Sequence, residues 1–193
     1  MKHQHMDFSW LVCDAAHLDQ IKKDLVAQET QKTDDPDLVA VVTPDERLFV
    51  FEYGGGRASL FFLPEERRFL SAGREMMFGE LEEQAWLSQF ACWKDGREQW
   101  RVYHDHIDPD DVASFEERGR PPGNYAVIKK TLSHMQQASR DNEDHLYALA
   151  PLLSKDLTGY GAEAELPQGK LYKWDTRPRP NAVVRFIKRL MGG

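Results

Sequence analysis

The stretch His104-Asp105-His106-Ile107-Asp108 holds the chain's densest set of groups able to bind a metal or move a proton. If it closes a strand, alternation turns His104, His106 and Asp108 to one side, and two imidazoles with one carboxylate form a donor set for a zinc-like ion. On that reading the chain is a metal-dependent hydrolase with these three as ligands. A different reading competes for the same residues. Asp108-Pro109-Asp110-Asp111 has the form of a helix start, with a capping carboxylate, a first-turn proline and two acids set against the helix dipole. A helix from Asp108 ending at Gly119 would then present Glu116 and Glu117 with Asp105, Asp108, Asp110 and Asp111 as an acidic binding surface, without cofactor or catalytic residue.

Other candidate chemistry is sparse. Gly54-Gly55-Gly56 suggests a phosphate loop, but the chain continues as Ala58-Ser59-Leu60-Phe61-Phe62, a strand pattern where a phosphate cradle needs a helix. The glycines read as a hairpin loop. No Gly-x-Ser-x-Gly elbow occurs, neither Cys13 nor Cys92 belongs to a recognisable cysteine-histidine motif, and both lie in apolar runs that make them buried thiols. Adjacent pairs such as Glu65-Glu66 and Glu82-Glu83 read as solvated faces.

The elements that must carry these groups alternate in type. Phe8 to Cys13 predicts a strand, and Asp14 a cap for a helix through Ile21 and Leu25. Leu38 to Val42, Leu48 to Tyr53 and Ala58 to Leu63 predict an antiparallel meander, and Glu65 to Arg74 a short helix. Ala85 to Trp93 and Gln99 to His104 flank Asp95-Gly96, the strongest short hairpin signal, which places Trp86, Trp93 and Trp100 in core or cross-strand packing. Asn124 precedes a helix with Tyr125, Ile128, Leu132 and Met135 on one face. His145 to Leu149 reads as a strand, a short helix runs from Pro151 to Gly159, and Lys170 to Trp174 adds a last strand. From 178 to 193, Val183, Phe186, Ile187, Leu190 and Met191 recur at helical spacing opposite Arg185, Lys188 and Arg189, a basic amphipathic helix. The expected architecture is α+β: residues 1–193 as one domain, with a single mixed, mainly antiparallel sheet built from hairpins and helices packed on it.

With 193 residues, 41% hydrophobic, the chain has enough apolar mass for one core without disulfides. Its net charge of -7 divides into about +6 for residues 166–193 and -13 for the rest. An acidic body argues against nonspecific nucleic-acid binding, while the basic helix leaves contact with an anionic membrane as a lesser alternative to docking on its own body. No segment approaches the roughly 20 apolar residues that span a bilayer, and the start lacks a secretion-signal pattern, so the cytoplasm is the expected compartment.

The run from Trp93 to Pro122, with its Asp95-Gly96 hairpin, Trp100, Val102, His104-Asp105, Gly119 and Pro121-Pro122, resembles uncharacterised bacterial immunity proteins of polymorphic or contact-delivered toxin systems. The resemblance covers about a sixth of the chain. It implies a cytoplasmic, antitoxin-like protein that neutralises a cognate toxin by covering its active surface, with a basic toxin as partner. No catalytic residue is implied.

Overall fold

A computed structural model describes residues 8–31, 36–53, 63–83, 86–105, 114–139, 144–162 and 165–176. Its spine is one nine-stranded sheet among the described residues, every pair antiparallel. The strands are β1 (Phe8–Asp14), β2 (Ala27–Glu29), β3 (Leu38–Val42), β4 (Arg47–Tyr53), β5 (Glu75–Glu82), β6 (Leu87–Lys94), β7 (Arg97–Asp105), β8 (Ser114–Gly119) and β9 (Lys170–Thr176). They lie in the order β2-β9-β3-β4-β1-β5-β6-β7-β8. The hairpins β3/β4, β5/β6 and β6/β7 follow chain order, whereas β1 sits between β4 and β5 and β9 is inserted between β2 and β3.

Both faces of this sheet are apolar, and period-two alternation divides them. Trp10, Val12, Phe49, Phe51, Phe90, Trp100 and Val102 face one side, where α3 (Tyr125–Ala138) and α4 (Leu149–Thr158) cover them through Tyr125, Leu132, Leu149 and Leu153. Leu11, Cys13, Leu48, Val50, Phe78, Ala91 and Trp93 face the other, under α1 (Leu18–Asp24) and α2 (Pro64–Leu70) through Ile21 and Leu70. Strands buried on both faces read as near-continuous apolar runs, as Leu38 to Val42 does.

Local signals explain most boundaries. Asp14 accepts a hydrogen bond from the Ala16 amide at 2.7 Å and caps a 3-10 turn, Ala15–His17, that feeds α1. Asp95 and Gly96 both take positive φ at the β6/β7 turn. Gly159, at φ 79°, ends α4 in the left-handed conformation.

Three expectations are corrected. Residues Ser114–Gly119 form a strand rather than the end of a helix, because alternation sets Phe115 against the core under α3 and Glu116 toward Arg101 on the other face while the backbone pairs with β7, Phe115 opposite His104. His145–Ala148 is a 3-10 turn leading into α4, not a strand: the Asp144 carboxylate caps it by accepting from the Leu146 amide at 3.1 Å, and Pro151 fits the first turn of α4. Trp86 is 48% exposed, while Trp93 and Trp100 are buried as expected. Of the expected strand Ala58 to Leu63 only Leu63 is described, and it caps α2; residues 58–62, the triple glycine and the basic segment 178–193 lie outside the described residues.

Candidate functional site

β7 alternates Trp100, Val102 and His104 toward α3 and α4 with Arg101, Tyr103 and Asp105 toward the opposite face. His104 is therefore fully buried, and its Nε2 lies 2.5 Å from Asp144 Oδ2. Ser88 stands directly across from it on β6, 1% exposed. Its Oγ and His104 Nδ1 find no hydrogen-bond partner among the described residues. Serine, histidine and aspartate thus meet by type, but the group is sealed from solvent and pins the turn before α4 to the sheet. Of the expected metal set, His106 and Asp108 lie outside the described residues, and His104 has Nε2 engaged in the interior. No cluster of three metal-binding side chains occurs among the described residues.

Of the expected acidic surface, Asp108, Asp110 and Asp111 also lie outside the described residues. Asp105 accepts from the Tyr103 hydroxyl at 2.7 Å, and burial, helped by this bond, raises the phenol's pKa above its ordinary value. On β8, Glu116 and Glu117 point to opposite faces of the sheet, as adjacent strand residues must. Glu116 accepts from Arg101 at 2.9 Å and Arg118 at 2.8 Å. Glu117 accepts from Lys129 at 2.6 Å and Tyr125 at 2.7 Å, and these bonds hold its carboxyl below the usual range. The strand therefore divides these two acids and gives each its own cations.

A concave feature lies on the outer side of the helical layer, between α3, the 3-10 turn and α4. It is an open groove of about 890 Å³. Val127 and Met135 border it from α3 and Leu152 from α4, at 64%, 46% and 41% exposure. Trp86 also lines it, its ring 5.8 Å from Tyr147 in an edge-on contact. At φ 46°, Trp86 occupies the left-handed region that bulky residues avoid, so the β5/β6 turn holds its indole outward at a conformational cost of about 1–3 kcal/mol. Asn124 and Asp156 lie at the groove, and Asp156 accepts from the Asn124 amide and side chain at 2.8 and 2.7 Å, bonds that keep its carboxyl below the usual range.

No family model matches this chain, and no curated protein or solved structure is significantly similar to it.

On the opposite face, cross-strand register brings six polar residues into one row: Glu52, Ser9, Glu80, Gln89, Tyr103 and Glu116, on β4, β1, β5, β6, β7 and β8. From α2, Arg67 reaches into that row. Its Nη2 is 3.6 Å from Glu80 Oε2 and its Nη1 donates to Gln89 Oε1 at 3.2 Å, while Gln89 Nε2 donates to Glu80 at 2.5 Å. Arg67 and Glu80 are 4% and 2% exposed. Burial pushes the Glu80 carboxyl up to about 7 against the pull of Arg67 and Gln89, and pushes Arg67 down to about 10. Sequence reasoning missed this network, though the signal was present: Met76, Phe78 and Glu80 share a face by alternation, as Arg67 and Leu70 do by helical spacing.

Proposed function

We propose that this chain is a non-catalytic binding protein that grips a partner protein through the groove between α3 and α4. One observation carries the reading: four large apolar side chains, Trp86, Val127, Met135 and Leu152, stand 41–64% exposed around a single concavity. Scattered surface apolar residues need no explanation, but a contiguous set bordering a groove is the mark of an interaction site. Covering them returns roughly 1–2 kcal/mol each, since each is already partly buried.

The resemblance of residues 93–122 to immunity proteins makes a bacterial toxin met in the cytoplasm the expected partner. Neutralisation would follow from covering the toxin's active surface. The acidic body, near -13 without residues 166–193, favours a basic partner by speeding encounter and disfavouring acidic competitors.

Leu152→Glu and Val127→Glu test the reading, because both positions are exposed and the changes should alter stability by no more than about 0.5 kcal/mol. Against a toxin encoded beside this gene, calorimetry should show affinity falling about thirtyfold or more, as for loss of an interface hot spot of about 2 kcal/mol. Undiminished affinity with an intact fold would remove the groove from the interface.

A further inference from the structure

We infer that the groove is masked in the free protein by the chain's own basic segment, residues 181–193, which a partner must displace. The inference rests on the groove being the recognition surface. Three observations point to this occupant: its pattern, its charge and its reach.

Val127 and Met135 lie eight residues apart on α3, about 12 Å of helix; Val183 and Met191 are also eight apart, so as a helix their stripe with Phe186, Ile187 and Leu190 has the same length. The sequence stripe and the exposed groove are complementary in length and in apolar character. Residues 181–193 carry three basic residues and no acid, +3 against -10 for the rest of the chain, and Asp156 stands at the groove as an acceptor for Arg185, Lys188 or Arg189, with Lys155 beside it as the one opposing cation among the described lining residues.

Reach agrees. Thr176 ends β9 at the same level of the sheet as Leu87, beside Trp86, because the register runs Lys173, Val39, Phe51, Trp10, Gly79, Phe90 across the strands and both residues lie three positions beyond it toward the same end. β9 and β6 are five strand spacings apart, about 24 Å. The seven Cα steps from Thr176 to Val183 span about 23–25 Å when extended, which matches that lateral separation. A tethered segment acts at an effective concentration near millimolar, so even a weak docking contact is well occupied.

A spin label at Gly193→Cys in the full chain reads the contact directly, since Cys13 and Cys92 are buried with thiols pushed up to about 12 and stay unlabelled. Methyl signals of Val127, Met135 and Leu152 should broaden within one molecule. Broadening confined to another face, or seen only between labelled and unlabelled copies, overturns the inference. A synthetic leucine-lysine amphipathic helix supplies the second measurement. It should bind the groove about tenfold more tightly in the full chain carrying Phe186→Asp and Leu190→Asp, because the internal competitor is gone. Equal affinity for both chains, with the groove methyls shifting in each, overturns the masking and leaves the groove reading standing. If the peptide shifts no groove methyl even in the doubly substituted chain, the groove reading falls and the masking with it.

Discussion

Glu80 is a carboxyl buried beside Arg67, and its consequence for pH is specific. Its folded pKa, near 7, lies above the ordinary 4.5, so between those values the folded state holds the extra proton. Glu80 therefore contributes stability that is fully present below pH 4.5 and lost as pH rises through about 7. Denaturant titrations from pH 5 to 8 should show this component falling, and Glu80→Gln, which keeps the acceptor for Gln89, should flatten it. An unchanged slope in the variant would assign the pH dependence elsewhere. The exposed carboxylates Glu29, Asp45 and Asp156 are shifted down and act in the opposite sense, stabilising above the ordinary range and losing that effect as pH falls. His104 and Asp144 serve differently, joining β7 to a turn 40 positions away in sequence.

Among the elements, β5 shows how closely neighbouring strands constrain one another. Gly79 lies opposite Trp10, and a Cβ there would come within 2.1 Å of the indole ring. The ring has nowhere to retreat, because Trp10 is fully buried, lies 6.2 Å from Phe90 and 6.3 Å from Tyr160, and donates to Ser154 at 3.3 Å. Gly79→Ala should destabilise by about 1–3 kcal/mol or more through overpacking, measured by the guanidinium midpoint with slope unchanged. A neutral result would mean that the indole repacks. At Gly159 no atom lies within 4 Å of the added methyl, so alanine there meets only the left-handed backbone cost of about 1–2 kcal/mol.

For the molecule as a whole, the sheet couples two cores. β1, β4, β5 and β6 each send alternate side chains into both, so losing one helical layer uncovers an apolar face on strands that the other layer still needs. Polar ties reinforce this: Arg47 on β4 donates to the Leu157 carbonyl of α4 at 2.7 Å and holds that layer to the sheet, while Arg74 pairs with Asp24 to join the turn after α2 to α1 within the other layer. Guanidinium unfolding should therefore give one transition, with tryptophan fluorescence and far-ultraviolet circular dichroism coincident. Two resolved transitions would show that the layers fold separately.

Period and punctuation made the elements legible before any coordinates. Both-sided apolar runs marked β1, β3 and β4, Asp95-Gly96 marked the β6/β7 turn, and the spacing of Tyr125, Ile128 and Leu132 marked α3. These signals are local, because φ/ψ preference and side-chain alternation act within a few residues. Antiparallel pairing and helices on a sheet followed from them. Which edge each strand joins did not, since register is a choice among distant partners with similar apolar faces. Hence the insertion of β9 between β2 and β3, the burial of Arg67 on Glu80, the capture of His104 by Asp144 and the conversion of 114–119 into an edge strand appeared only in the assembled fold. The groove belongs with these: Val127, Met135, Leu152 and Trp86 carry no shared signal in sequence, and become one surface only because α3 and α4 pack side by side above the β5/β6 turn.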